Sequence, residues 1–310
     1  MRSYHTLDEI QKDIRLGVTS CRALVEYYLS NIEAHSELNA FVEVYNSEAL
    51  QKADTIDAKI KENKAGKLAG LIFGIKDLIC YQDHKISGAS KILQNFESQF
   101  SATAVEKLLQ EDAILIGRQN CDEFGMGSSN ENSFYGPAKN ALDQDKVAGG
   151  SSGGSAVAVQ ADMCQISLGT DTGGSVRQPA AFCGIVGLKP TYSRVSRWGL
   201  LAYASSFDSI GIFSKSIEDN ARVLEVIAGK DEKDATSSSR EVPAYSKDLE
   251  KKRKFKIAYL QEALDTKALQ PEIKATLENQ ISNLKEEGHT VEPVQFPLLD
   301  YILPTYYILT

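Results

Sequence analysis

The chain has 310 residues, 42% of them apolar and 25% charged, with a formal net charge of −8. That length can bury a sizeable core, as one large domain or two small ones. The acidic excess, 42 Asp and Glu against 34 Lys and Arg, argues against a main phosphate-binding surface for nucleic acid on this chain. Thr6-Leu7-Asp8-Glu9 reads as a capping box that opens a first helix with Leu7, Ile10 and Ile14 on one face. A second helix starts at Thr19 or Ser20 and carries Leu24, Val25, Tyr28, Leu29 and Ile32 at helical spacing. Residues 40–45 read as a strand, 48–64 as a polar helix closed by Ala65-Gly66, and 71–75 as a short buried strand.

The alternation continues through a helix at 103–111, a strand at 113–116, a helix of small residues at 153–161 and a strand at 165–168. A helix at 217–228, a strand at 255–260, an amphipathic helix at 272–287 and a strand at 290–294 complete it. This is an α/β protein with a mostly central, covered sheet. No internal repeat is visible. Residues 230–254, rich in Lys, Asp, Glu and Ser, read as a solvated surface loop rather than a domain linker, because strand and helix patterns resume on both sides. Residues 301–310 are apolar without the polar fraying of a free end. The expectation is a single domain over 1–310 that is truncated at its C-terminus, with part of the sheet and of the substrate pocket outside the sequence.

Cys21, Cys80, Cys121, Cys164 and Cys183 form no C-x-x-C pair and have no metal-ligand spacing. Buried thiols in a reducing compartment are expected, and no metal site. No secretory signal follows Met1, and no apolar run reaches the roughly eighteen residues of a membrane span. A cytoplasmic location without membrane contact is expected.

Chemistry concentrates in two stretches, Gly149-Gly150-Ser151-Ser152-Gly153-Gly154-Ser155 and Gly169-Thr170-Asp171-Thr172-Gly173-Gly174-Ser175, with Lys76 upstream in Phe73-Gly74-Ile75-Lys76-Asp77. Dense glycine lets the backbone approach a bound group and aim several N–H donors at one spot. Serines offer a nucleophile, and a desolvated lysine offers a base that needs no histidine. His5, His35, His84 and His289 lie outside both stretches, so a Ser-His-Asp arrangement is not expected. Neither stretch has the spacing of a nucleotide-binding loop in strand-to-helix context. Position alone leaves two alternatives open: a strand-end lysine with its ammonium in water, and a flexible Gly/Ser linker. Against the linker stands the helix-like Ala156-Val157-Ala158-Val159 directly after it.

These positions resemble the amidase signature family, whose Ser–cis-Ser–Lys triad falls at Ser175, Ser151 and Lys76. The resemblance runs from the first helix to the last residue. It is nearest to the A subunits of aspartyl/glutamyl-tRNA amidotransferases, through Asp122-Glu123-Phe124-Gly125-Met126-Gly127-Ser128-Ser129-Asn130-Glu131-Asn132-Ser133, Gly187-Leu188-Lys189-Pro190-Thr191 and Ser193-Arg194-Val195-Ser196-Arg197. The resemblance implies an amidase-signature fold, a central mixed β-sheet covered by helices on both faces. It implies that Ser175 forms the acyl intermediate, that Ser151 bridges to Lys76 through a cis peptide, and that the N–H groups of Thr172, Gly173, Gly174 and Ser175 hold the oxyanion. Met126 and Ser128 would line the amide pocket and Tyr306 would contact glutamine. Asp171 and Arg177, flanking the nucleophile, are read as structural groups that hold the loop.

The implied function is glutamine hydrolysis, with ammonia passed on to convert Glu-tRNA(Gln) or Asp-tRNA(Asn). The implied partners are a B subunit, which uses ATP and Mg²⁺ and holds most of the tRNA, and a small C subunit. No cofactor is expected in this chain. The alternative is a stand-alone amidase acting on small or aryl amides. A non-catalytic scaffold is disfavoured, because all three triad positions are filled.

Overall fold

The apolar run at 71–75 becomes the inner strand of a six-stranded sheet, and the reason is local: residues 72–76 are buried on both sides and bounded by loops. The computed structural model describes residues 2–310, in two compact units, Met1–Ser246 and Lys247–Thr310.

The first unit holds α1 (Leu7–Arg15), α2 (Cys21–Ala34), β1 (Phe41–Val44), α3 (Asn46–Lys61), β2 (Ile72–Lys76) and α4 (Thr103–Gln110). It continues with β3 (Ile114–Gln119), α5 (Gly153–Gln160), β4 (Ile166–Asp171), α6 (Arg177–Phe182), β5 (Val186–Leu188), β6 (Ser209–Ser214) and α7 (Ile217–Ile227). The capping box is present: Glu9 N–H donates to Thr6 Oγ1 at 3.3 Å and Thr6 N–H to Glu9 Oε2 at 3.4 Å. Ser20 caps α2, which buries Cys21, Leu24, Val25 and Tyr28 along one stripe.

The sheet runs β1-β3-β2-β4-β6-β5. β2 is parallel to both β3 and β4, and the outer pairs are antiparallel, so the sheet is mixed. Alternation along the strands sends Ile72, Ile114 and Ile116 into one apolar cluster with residues of α2, α3 and α5. Phe73, Ile75, Leu115, Ile166 and Leu168 enter another with residues of α4 and α7. Helices therefore cover both faces, and each fully buried Leu or Ile contributes about 1.5–3 kcal/mol. A Cβ on Gly74 would stand 2.1 Å from Gln119 Nε2, so only glycine leaves room for the buried Gln119 side chain there.

The polar stretch at 230–254 is mostly exposed loop, as it reads in the sequence, but it also holds other segments. Asp231 Oδ2 accepts from Thr103 Oγ1 at 2.6 Å and Ser196 Oγ at 2.5 Å, and Asp234 Oδ2 accepts from Arg197 N–H at 2.9 Å. Its polarity serves to tie other segments down. A short helix, α8 (Tyr245–Asp248), ends the stretch's first part, and the division between the two compact units falls there.

The second unit contains β7 (Lys256–Leu260), α9 (Gln261–Asp265), α10 (Pro271–Glu286), β8 (Thr290–Val294) and α11 (Ile302–Leu309). β7 and β8 pair in parallel, Lys256 opposite Thr290, which the intervening helices make possible. The apolar run at 301–310 is thus largely helical, and Ile308 is 82% exposed. Among the described residues no helix is long and apolar enough to cross a membrane, and all five cysteines are buried thiols.

Candidate active site

β2, β3 and β4 are mutually parallel, so the loops leaving Lys76, Gln119 and Asp171 open at one edge of the sheet. In open α/β sheets this carboxyl edge is where ligands bind. The Gly/Ser stretch before α5 reaches the same edge. Asp122 N–H donates to Ser151 C=O at 3.0 Å, and Ser152 N–H to Ser175 C=O at 3.3 Å. The Gly150–Ser151 peptide is cis.

Lys76 is fully buried. Its Nζ lies 2.6 Å from Ser151 Oγ, 2.9 Å from Ser152 Oγ and 2.9 Å from Thr170 Oγ1. Burial pushes its pKa down to about 8, against the opposing pull of Cys121, Asp122, Asp171 and Asp208. About one lysine in ten is then neutral at pH 7. The neighbours fix which hydroxyl meets the lone pair of that neutral amine. Ser152 Oγ donates to Thr170 C=O at 3.1 Å and accepts from Thr170 N–H at 3.3 Å, so its proton is engaged elsewhere. The two N–H bonds of a neutral amine then satisfy Ser152 and Thr170, and the lone pair is left for the proton of Ser151.

Ser175 stands on the loop between β4 and α6, and that loop is clamped from below. Asp171, fully buried, accepts from Gly174 N–H at 2.8 Å, Val176 N–H at 3.1 Å and Arg177 N–H at 3.3 Å. The Arg177 guanidinium adds Nε and Nη2 contacts, both at 3.0 Å. Burial alone would raise the Asp171 carboxyl; Arg177 and the amides outweigh it and hold it below the usual carboxylate range. The loop-holding roles read for Asp171 and Arg177 are met here by direct pairing.

One expectation needs correction. Gly174 N–H is committed to the Asp171 carboxylate, so it is not free to meet an oxyanion. Among the described residues no acceptor takes the N–H of Thr172, Gly173 or Ser175, and those three remain as donors. Nor are the Ser151 and Ser175 hydroxyls hydrogen-bonded to each other; backbone contacts join their loops. Such links commonly tighten only when substrate is bound.

The loop carrying Met126 and Ser128 wraps a buried carboxylate. Asp122 Oδ2 accepts from Asn130 N–H at 2.9 Å and Oδ1 from Asn132 N–H at 3.1 Å. A Cβ on Gly125 would stand 3.6 Å from Ser151 Oγ, so the loop borders the bridging serine. Gln178 ties it in further, donating from Nε2 to Ser128 C=O at 2.8 Å and accepting Gly150 N–H at 2.9 Å. Met126 is 57% exposed. Tyr306 belongs to α11 in the second unit, where it meets Tyr307 edge-on at 5.8 Å. The histidines lie elsewhere; His84, for example, pairs with Glu48 and stacks on Tyr81.

Sequence reading missed Ser152, Thr170, Asp122 and Gln178. The doubled serine of Gly149–Ser155 was the one available signal. The others reach their partners only through the fold. Among the described residues no group of His, Cys, Asp and Glu could hold a metal ion.

Residues 23–310 match a family model described as Amidase. The chain is 46% identical over 306 residues to the A subunit of the glutamyl-tRNA(Gln) amidotransferase of Salinibacter ruber, covering 98% of this chain and 60% of the relative. The crystal structure of the corresponding polypeptide from Thermotoga maritima superposes with a TM-score of 0.80 at 38% identity, covering 92% of this chain and 61% of that one. A peptide amidase from Stenotrophomonas maltophilia superposes with a TM-score of 0.88 at 30% identity, covering 97% and 64%. This chain spans 60% and 65% of the first two curated relatives' lengths.

Proposed function

We propose that this chain, which belongs to the amidase family, is the ammonia-releasing part of a tRNA-dependent amidotransferase. The observation that carries the reading is the buried Lys76 amine 2.6 Å from Ser151 Oγ, beside the clamped loop that presents Ser175. Neutral Lys76 takes the proton of Ser151, and Ser151 takes that of Ser175. Ser175 Oγ forms a bond to the side-chain amide carbon of glutamine, and the carbonyl electron pair moves onto oxygen. The N–H groups of Thr172 and Gly173, joined by that of Ser175, face this oxyanion. As the C–N bond breaks, the proton returns through Ser151 to the leaving nitrogen and ammonia departs. Water, activated through the same relay, hydrolyses the ester to glutamate. Each oxyanion donor is worth roughly 2.7–4 kcal/mol of transition-state stabilisation.

Met126, Ser128 and Tyr306 are proposed to line the glutamine site, and residues 1–310 to form part of one amidase domain. The family match runs across both compact units, which supports that reading. The ammonia would serve a heterotrimer in the cytoplasm. Its B subunit would activate Glu-tRNA(Gln) or Asp-tRNA(Asn) with ATP and Mg²⁺ and hold the tRNA, and a C subunit would complete it. The net charge of −8 fits a chain that leaves most tRNA contact to a partner.

The likeness to the peptide amidase favours a second reading, hydrolysis of small or aryl amides without a partner. The higher identity to the amidotransferase polypeptides ranks it second. The test measures ammonia from glutamine with and without the partner chains, and ammonium-dependent tRNA amidation by the complex. Ser175→Ala should abolish the first and spare the second. Loss of both in an intact complex overturns the division of labour, and turnover of aryl amides but not glutamine selects the second reading.

A further inference from the structure

A carboxylate outside both Gly/Ser stretches reaches into the nucleophile loop. Asp208 is 2% exposed. Its Oδ1 accepts from the Thr172 hydroxyl at 2.6 Å. Its Oδ2 accepts from the backbone N–H groups of Tyr203 at 2.9 Å and Ala204 at 3.0 Å. One side chain thus joins the residue that begins the oxyanion segment to a turn from a distant part of the chain. That turn reaches the centre, because Tyr203 Cβ lies 3.9 Å and Ser151 Oγ 3.6 Å from a Cβ placed on Gly125.

The Thr172 peptide has few other restraints. β4 ends at Asp171, and the Asp171 clamp grips the loop further on, at Gly174, Val176 and Arg177. Thr172 and Gly173 fall between these two anchors. Asp208 also borders a cavity of about 410 Å³ with Leu200, Leu201 and Trp198.

We propose that Asp208 is a positioning residue for the reaction: by holding the Thr172 hydroxyl and the Tyr203–Ala204 turn in one unit, it fixes the direction of the Thr172 and Gly173 amides. The proposal rests on the reading of those amides as oxyanion donors. Asp208 touches no reacting atom. Apart from its charge, which helps hold the Lys76 pKa up, it acts through Thr172, and a misplacement of about 1 Å at such a donor costs on the order of 10²-fold in rate.

The experiment uses phosphonylation of Ser175 by a fluorophosphonate, which draws on the same amides whatever the natural amide substrate is, together with kcat and KM on glutamine. Asp208→Asn keeps one acceptor and the shape of the side chain. It should slow labelling and lower kcat by about 10- to 100-fold, with KM within about threefold and the unfolding midpoint nearly unchanged. Thr172→Val should fall as far, Thr172→Ser should restore the rate, and the double variant Asp208→Asn/Thr172→Val should be no slower than the worse single. A labelled wild type with an equally fast Asp208→Asn overturns the proposal alone. So do single losses that multiply in the double variant, or a slow Thr172→Ser. A wild type whose Ser175 resists the reagent overturns the reading of the site and the proposal with it.

Discussion

Two buried carboxylates, in two regions of the first unit, accept backbone N–H groups and yet titrate in opposite directions. Asp171 lies under the nucleophile loop and Asp219 at the start of α7; they are 0% and 2% exposed. Asp219 accepts Leu7 N–H on both oxygens, at 2.9 and 3.1 Å, and Gln165 Nε2 at 2.9 Å, so it seats the first turn of α1. Burial pushes it up to about 6, and Asp8 adds to this, while Leu7, Gln165 and the charge of Arg222 pull it only part of the way back. Asp171 accepts three backbone N–H groups where Asp219 accepts one, and in addition a guanidinium in two-point contact, and it falls below the usual range. One backbone N–H and one side-chain amide do not offset desolvation at Asp219; a paired cation together with three backbone N–H groups does at Asp171. The fold places that cation beneath the loop that carries Ser175, and pairs none with the carboxylate that seats α1.

The strongest way to test the first region is to remove its chemistry. Lys76→Ala and Ser175→Ala should each lower glutamine hydrolysis by about 10⁴-fold or more, and the double variant should fall no further, because members of one proton relay are not additive. Multiplying losses in steady-state kcat would separate them. Next in size, Asp219→Asn should expose the pH contrast between the regions. A raised folded pKa means that the folded state binds the extra proton, so this group's stabilisation is complete below pH 3.8 and is lost as pH rises through about 6. Relative to the variant, the wild type should lose roughly 2 kcal/mol of stability between pH 4 and pH 7, read from urea midpoints across that range. Asp171 has the opposite sign. Its folded pKa is depressed, so its contribution holds above the unfolded carboxylate range and is lost as pH falls through the folded value. A flat difference curve for Asp219→Asn would erase the comparison.

A smaller effect is expected from Arg177→Ala. The guanidinium side chain is 54% exposed, so the cost of leaving Asp171 unpaired is discounted to about 1–2 kcal/mol. The same variant should raise the Asp171 pKa and lower kcat more than it raises KM. Unchanged stability together with unchanged kcat would assign the depression of Asp171 to the amides alone. The smallest shift is in the pH–rate profile. Activity should climb with pH to a midpoint near the Lys76 value of about 8, because the neutral amine is the proposed base. Asp171→Asn, which removes a negative charge acting on Lys76, should move that midpoint to lower pH, and Asp219→Asn should leave it in place.

Local signals explain what was legible in the sequence. Thr6 and Glu9 specify a helix start within four residues, and the reading of 290–294 as a strand coincides with β8. Lys76 was legible because four residues of apolar strand precede it. β6 was not, because Ser209, Gly211 and Ser214 dilute its apolar signal although all six of its residues are buried. There the small residue is a packing requirement, since a Cβ on Gly211 would stand 2.7 Å from Leu188 C=O. α6 is short and contains Pro179, which argues locally against a helix. In the site, the proposed nucleophile and base announce themselves by composition. The groups that aim them do not: Gln178 reaches Ser128 across 50 residues and Asp208 reaches Thr172 across 36. No periodicity reports such contacts.

Lys76 also has a consequence for reagents. Amine-directed probes read a protein by the ammonium groups they can reach, and this one is sealed, its nitrogen ringed by three hydroxyl oxygens. Loss of activity after acylation of surface lysines would therefore originate away from the base, while a tag on Lys76 itself would record that the sheet edge had opened. The proposed base thus doubles as an internal marker of the chain's unfolding.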